Sequence, residues 1–216
     1  MEISRLIILF AHLPILLNVG YVLWNLKHFR YELRIFSIFI LLSGLIQFTA
    51  LGMWLYGENN LMLLHIYVPL GYALLSWFYF SILRGYLHAS IFWVSPILFF
   101  IYSIINTVFF QSIFTFNSHA LVVQSTLVVV LSLTTFTLTL NEEVKEHKKE
   151  VLTSLNWINS GLFIYYTSNL LIFSFGTPIM HNLSETLSLY TWTIHSFFST
   201  IMYSCFFIGL WKHPQK

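Results

Sequence analysis

Six uncharged hydrogen-bonding side chains are the residues of this chain best placed to do chemistry: Gln47, His65, Asn106, Gln124, Asn169 and His195. Each stands inside a long apolar run, where a polar group is costly unless it faces a partner, a cavity or water. The two histidines, on separate runs, raise three chemistries: a hydrogen-bonded clasp, a pair of axial ligands to haem iron, or part of a zinc site. Zinc needs three or four ligands, and only His12, His181 and Glu58 stand in reserve. Haem and zinc are therefore minor alternatives, and the expectation is that no cofactor is held. Asn, Gln and His also join membrane helices through hydrogen bonds worth roughly 0.6–2 kcal/mol, so each of the six alone suits a clasp as well as a ligand contact.

The acids narrow the chemistry further. All eight are glutamates (Glu2, Glu32, Glu58, Glu142, Glu143, Glu146, Glu150 and Glu185), and each lies at the end of an apolar run or between runs. A retinal pigment needs a lysine in its last span and an acidic counter-ion, yet no lysine follows His195 until Lys212. A carboxylate proton relay fails for want of an acid in any span. A zinc hydrolase of the progestin–adiponectin receptor and ceramidase type needs an aspartate, and there is none. Ser188, Ser196 and Ser199 neighbour His195 on its own run, a poor geometry for a nucleophile and its base. The one cysteine, Cys205, excludes an intrachain disulfide and a cysteine-based metal site.

The elements that carry these residues are read from composition. Of 216 residues, 57% are hydrophobic, 19% aromatic and only 8% charged; soluble domains carry about 25% charged residues. A soluble enzyme, a nucleic-acid-binding domain and a disordered chain are excluded. Spans of ~20 apolar residues are predicted at Ile3–Trp24, Leu33–Leu55, Leu61–Leu83, Ser90–Phe110, Ser118–Leu140, Leu152–Phe175 and Leu187–Leu210. The fold class is thus an all-α, seven-transmembrane helix bundle forming a single domain over residues 1–216. The first run lacks a small-residue cleavage site and is expected to remain as a span. Lys27, Arg30, Arg34, Arg84, Lys145, Lys148, Lys149, Lys212 and Lys216 fall on one side of such a bundle and Arg5 alone on the other. The positive-inside bias places the N-terminus outside and the C-terminus inside. Pro14, Pro69 and Pro96 lie within spans and are expected to bend them. The polar stretch from Asn141 to Glu150 reads as a solvated helical extension, with a docking surface for a cytoplasmic partner as the alternative. Asn182-Leu183-Ser184 is a formal glycosylation sequon.

Spacing then decides where the six side chains point. His65, Tyr72, Ser76 and Tyr79 return to one helical face, as do Ser188, Trp192, His195, Ser199 and Tyr203, and Asn156, Asn159, Tyr166 and Asn169. At ~1.5 Å per residue, His65, Asn106, Gln124 and Asn169 lie roughly 6–9 Å below the outer surface, and Gln47 and His195 roughly 12 Å. Six polar groups at similar depth predict an outward-facing polar chamber. Its aromatic surroundings suit a small amphipathic or hydrophobic ligand.

Several strings carry a resemblance. They are Glu58-Asn59-Asn60 followed by Leu64-His65-Ile66-Tyr67, then Phe116-Asn117-Ser118, Trp157-Ile158-Asn159-Ser160-Gly161, Trp192 with His195, and Gly209-Leu210-Trp211-Lys212. Together they resemble a group of small seven-helix membrane proteins of Bacteroidota, and are similar to the seven-transmembrane input regions of bacterial sensor histidine kinases. The resemblance implies a bacterial inner membrane and a receptor-like, sensory role in signal transduction, with a separate cytoplasmic or membrane signalling partner. Two other functions stand beside it. One is a small-solute transporter with three-plus-one-plus-three helices, since the first and last three spans share a topology and the third span of each carries one histidine, His65 and His195. The other is a membrane enzyme or haem protein using His65 and His195.

Overall fold

A computed structural model describes residues 2–140, 142–180 and 185–213. Among these the chain is all-helical. The helices are α1 (Glu2–Phe10), α2 (Leu13–Asn25), α3 (Tyr31–Leu55), α4 (Met62–Leu83), α5 (Ala89–Ile105), α6 (Ser118–Thr139), α7 (Glu142–Met180) and α8 (Glu185–Trp211), and a π-helical turn, Asn106–Phe110, continues α5. Six segments are long and apolar enough to cross a membrane: Leu6–Asn25, Tyr31–Leu55, Met62–Leu83, Ala89–Phe110, Ser118–Thr139 and Leu189–Trp211. The protein is thus an integral membrane protein by length and composition of its helices. α7 is not among the six; its described stretch carries Asn156, Asn159 and Asn169 together with Ser154 and Ser168. Helix α7 begins at Glu142, so most of the polar stretch is a helical extension of it. The sequon at Asn182 lies outside the described residues.

The first predicted span is broken. Pro14 has no N–H to give the carbonyl of Phe10, so one rung of the α-helical ladder is lost there. The chain turns at Ala11 and His12 instead. His12 N–H bonds the Leu9 carbonyl at 3.1 Å, and its Nδ1 contacts the Ile8 carbonyl at 2.8 Å. Pro14 then sits in the first turn of α2, where a missing donor costs nothing.

The chain forms two compact units. One contains α1, α2, α6 from Ser125 onward, α7 and α8; the other contains α3, α4, α5, the π turn and α6 up to Gln124. This grouping cuts across a three-plus-one-plus-three division.

In the second unit, α4 packs between α3 and α5. Helix α3 ends in a Schellman motif: Gly57 takes φ +76°, Gly57 N–H bonds the Trp54 carbonyl, and Glu58 N–H bonds the Met53 carbonyl at 2.9 Å. Leu33, Phe36, Phe39, Val68, Leu75 and Phe78 form the core, with the Phe36 and Phe78 rings 4.9 Å apart. Pro96 lies inside α5 and leaves the Phe92 carbonyl without its helical donor. Ser76 on α4 replaces that donor: its Oγ–H bonds the Phe92 carbonyl at 2.9 Å, fully buried. Ser76→Ala is expected to cost about 1–3 kcal/mol, the cost of an unmet buried acceptor. In a Pro96→Ala background, where the backbone N–H returns, the same change is expected to cost less than half as much. Thermal unfolding of the four proteins in detergent measures this coupling.

In the first unit, α7 and α8 run antiparallel in close contact. A Cβ on Gly161 would lie 2.9 Å from Cys205 Cβ and 3.0 Å from the Met202 carbonyl. A Cβ on Gly209 would lie 2.7 Å from Ile158 Cγ1 and 2.9 Å from the Ser154 carbonyl. The small residues let the backbones approach, as membrane helix pairs require. Ser154 Oγ–H bonds the Gly209 carbonyl at 2.6 Å. Asn18 Nδ2 bonds both the Pro14 carbonyl and the Tyr203 carbonyl at 2.8 Å, tying α2 to α8. Asn159 Nδ2 bonds the Ser132 carbonyl at 3.0 Å, tying α7 to α6.

Candidate functional site

The π turn organises the polar end of the second unit. Gln111 N–H reaches back five residues to the Asn106 carbonyl at 2.8 Å, so one more residue than usual occupies the turn. Such turns re-aim the side chains on either side, and here Asn106 and Thr107 serve different networks.

Asn106, buried, is the centre of the first. Its Nδ2 donates to Gln111 Oε1 at 3.0 Å and to Asn117 Oδ1 at 2.9 Å. Its Oδ1 faces His119 Nδ1 at 3.2 Å. Gln111 Nε2 donates to Ser118 Oγ at 2.8 Å, and Gln111 Oε1 also takes the His119 backbone N–H at 3.1 Å. The amide orientations are therefore mutually fixed. Asn117, fully buried, has an Nδ2 without a hydrogen-bond partner.

His65 is the centre of the second. It is buried near the start of α4, four residues ahead of Pro69. Its Nδ1 lies 2.8 Å from Thr107 Oγ1 and its Nε2 lies 3.0 Å from the Thr115 carbonyl. Thr107 Oγ1 is also 2.9 Å from the Ser103 carbonyl. Beside both networks lies an open hollow of about 470 Å³ lined by residues 107–113. Thr107 and Gln111 belong to the networks and to the wall of the hollow.

Two more of the six predicted residues lie elsewhere in this unit. Gln124 is buried, and its Nε2 donates to the Val68 carbonyl at 3.1 Å, joining α6 to α4 one residue before Pro69. Gln47 is half-buried on α3, one turn past Ser43, whose Oγ meets Tyr67 Oη at 2.8 Å.

In the first unit Asn169 and His195 are brought together. His195 Nδ1 is 3.0 Å from Asn169 Oδ1, and His195 Nε2 is 3.4 Å from Tyr165 Oη. The rings of Tyr165, Trp192 and Phe173 stand 5.4, 5.6 and 5.7 Å from the imidazole. Asn169 is buried.

Comparison with family models, with curated proteins and with solved structures finds no match.

The geometry limits the chemistry. Both ring nitrogens of His65 are engaged, so coordination of iron or zinc would require one of those bonds to be given up. Asn169 orients His195 as an amide orients a general base, but Nε2 faces the Tyr165 hydroxyl rather than a reacting group. No group of three or more His, Cys or Glu placed to hold a metal ion occurs among the described residues.

Sequence reasoning passes over Thr107, Gln111, Asn117, Ser118 and His119: Gln111 and Asn117 fall in the connection between the fourth and fifth predicted spans, and Thr107, Ser118 and His119 at the ends of those spans. The signal was present in the polar string Asn117-Ser118-His119 behind Gln111-Ser112. It also selected Tyr166 on the face of Asn169, whereas Tyr165 is the residue that meets His195.

Proposed function

We propose that the protein is a receptor-like, sensory membrane protein that binds a small polar or amphipathic molecule at the hollow beside the π turn. In this reading α7 is the sixth of seven spans, the N-terminus is outside and the C-terminus inside. His65, Asn106 and their partners then form a polar site open to the outside, and binding is relayed to a separate cytoplasmic or membrane partner. The absence of any Lys or Arg between Arg34 and Arg84, and from Gly85 to Leu140, supports that sidedness for the end carrying the site. The resemblance to sensor input regions supports the sensory role and a bacterial inner membrane.

The observation that carries the proposal is the sharing of Thr107 and Gln111 between the hollow and the buried networks. A molecule in the hollow meets side chains already held in place. The unpartnered Asn117 amide supplies a further donor beside the same network. A ligand would act by favouring one helix arrangement, to the extent that it binds that arrangement more tightly.

A thermal-shift screen of the purified protein in nanodiscs, using small carboxylic acids, sugars, amines and amphipathic alcohols, tests the reading. A ligand at a hundred times its Kd stabilises by about 2.7 kcal/mol. At least one compound class is expected to raise the unfolding temperature, and Gln111→Met is expected to weaken that response at least about tenfold, the loss of one well-placed polar contact. Indifference to every compound, or equal responses from the wild type, Gln111→Met and His65→Ala, would refute it.

A further inference from the structure

The contacts of His65 can be counted in hydrogens. Three heavy-atom pairs are involved: Nε2 with the Thr115 carbonyl at 3.0 Å, Nδ1 with Thr107 Oγ1 at 2.8 Å, and Thr107 Oγ1 with the Ser103 carbonyl at 2.9 Å. Each pair needs one hydrogen to be a bond, and both ends of the chain are carbonyls, which only accept. A neutral imidazole brings one hydrogen and the threonine hydroxyl brings one. Three bonds therefore have two hydrogens. The imidazolium form brings the third: Nε2–H to Thr115, Nδ1–H to Thr107, and Thr107 O–H to Ser103.

His195 has no such deficit. Its Nδ1–H gives one hydrogen to Asn169 Oδ1, the Tyr165 hydroxyl gives one to Nε2, and the neutral ring completes both bonds. His119 likewise needs only Nδ1–H for its contact with Asn106 Oδ1.

We propose that His65, with Thr107 and the carbonyls of Thr115 and Ser103, is a proton-binding site that ties α4 to the segment after the π turn. In the protonated state all three bonds form at once. In the neutral state Nε2–H holds Thr115, and the single hydroxyl hydrogen of Thr107 serves either the ring or Ser103. Pro69 adds to the leverage: it lacks the N–H that the His65 carbonyl would otherwise take, so the tie is made where α4 has already lost a rung. The other titratable groups at this end of the unit are Tyr56 and Glu58 after α3, Tyr67 on α4, Tyr102 on α5 and His119 on α6. Tyr67 is bonded to Ser43 and His119 to Asn106. With no Lys or Arg at this end, only His119 adds positive charge. This site does not depend on the small-molecule reading, and either can fail without the other.

The test is the ¹⁵N signals of labelled histidine in the full chain in nanodiscs, from pH 8 to pH 5, with His65 assigned by the spectrum of His65→Gln. The expected result is a His65 ring that moves from one protonated nitrogen to two across this range. In Thr107→Val the hydroxyl is lost, so Nδ1–H has no acceptor, and proton binding is expected to weaken about tenfold. Thr107→Ser restores the hydroxyl and is expected to restore the titration. If Thr107→Val fails to fold, the wild-type signal decides alone. A His65 ring that stays neutral down to pH 5 overturns the proposal, and so does a Thr107→Val protein that titrates like the wild type.

Discussion

Gly209→Val is expected to lower stability by about 2–4 kcal/mol, combining the strain of an overpacked contact with a lost buried hydrogen bond. The first carbon of the new side chain would meet Ile158 Cγ1 at 2.7 Å and the Ser154 carbonyl at 2.9 Å. Ile158 can shift its side chain, but the carbonyl belongs to the backbone of α7 and can retreat only if the two helices part. Parting them stretches the 2.6 Å bond from Ser154 Oγ to the Gly209 carbonyl. Gly161→Val acts at the same seam, against the Met202 carbonyl and Cys205, and is expected to cost a similar amount. Gly20→Ala and Gly52→Ala are the controls. A Cβ at either position meets nothing within 4 Å, and alanine in a helix gains up to about 1 kcal/mol over glycine. Unfolding in mixed micelles measures all four. Equal midpoints for Gly209→Val and the wild type would show that α7 and α8 do not depend on this contact.

The helices were legible because hydrocarbon-length apolar runs need no tertiary information. Their interruptions were legible only in part. Pro14 announced a bend, yet whether it bends or breaks the helix depends on how the freed Phe10 carbonyl and its neighbours are met, and that lies in backbone geometry. Pro96 announced a missing donor, but nothing in its own segment named Ser76, twenty residues earlier, as the replacement. The polar residues divided in the same way. His195 and Asn169 stand on different predicted spans, and the fold joins them at 3.0 Å. His65 and Asn106 were singled out too, but their partners come from the residues after the π turn. The helix ends at Phe110 and Gln111 is extended, so a count by 3.6 residues stops there and cannot place Gln111, Thr115, Asn117 or His119. Gln124 shows the limit of reading depth as function: its side chain clasps the Val68 carbonyl.

Asn106→Asp is expected to damage the network more than its small size suggests. The shape is unchanged, but an ionised carboxylate only accepts hydrogen bonds. The atom that now donates to Gln111 Oε1 at 3.0 Å and Asn117 Oδ1 at 2.9 Å becomes a third oxygen facing two others. The contact with His119 Nδ1 survives and gains from the charge, and Asn117 can turn its unpartnered Nδ2 to the carboxylate, so the contact with Gln111 Oε1 is the one that turns repulsive. The expected loss is about 2–4 kcal/mol, set by the unmet Gln111 acceptor and the desolvation of the carboxylate. Asn106→Leu is expected to cost about 1–3 kcal/mol, because it leaves partners unmet without opposing them. The order of the two variants is the informative result, since a residue that merely fills space would tolerate Asp better than the differently shaped Leu. Acid sharpens the test. Protonating the new carboxyl supplies one O–H, which can serve Gln111 or Asn117, so the deficit of Asn106→Asp is expected to shrink as pH falls through the carboxyl range while that of Asn106→Leu does not. Thermal unfolding at several pH values in detergent reads both trends. An Asn106→Asp protein as stable as the wild type at neutral pH would mean that the amide is not the donor these contacts require.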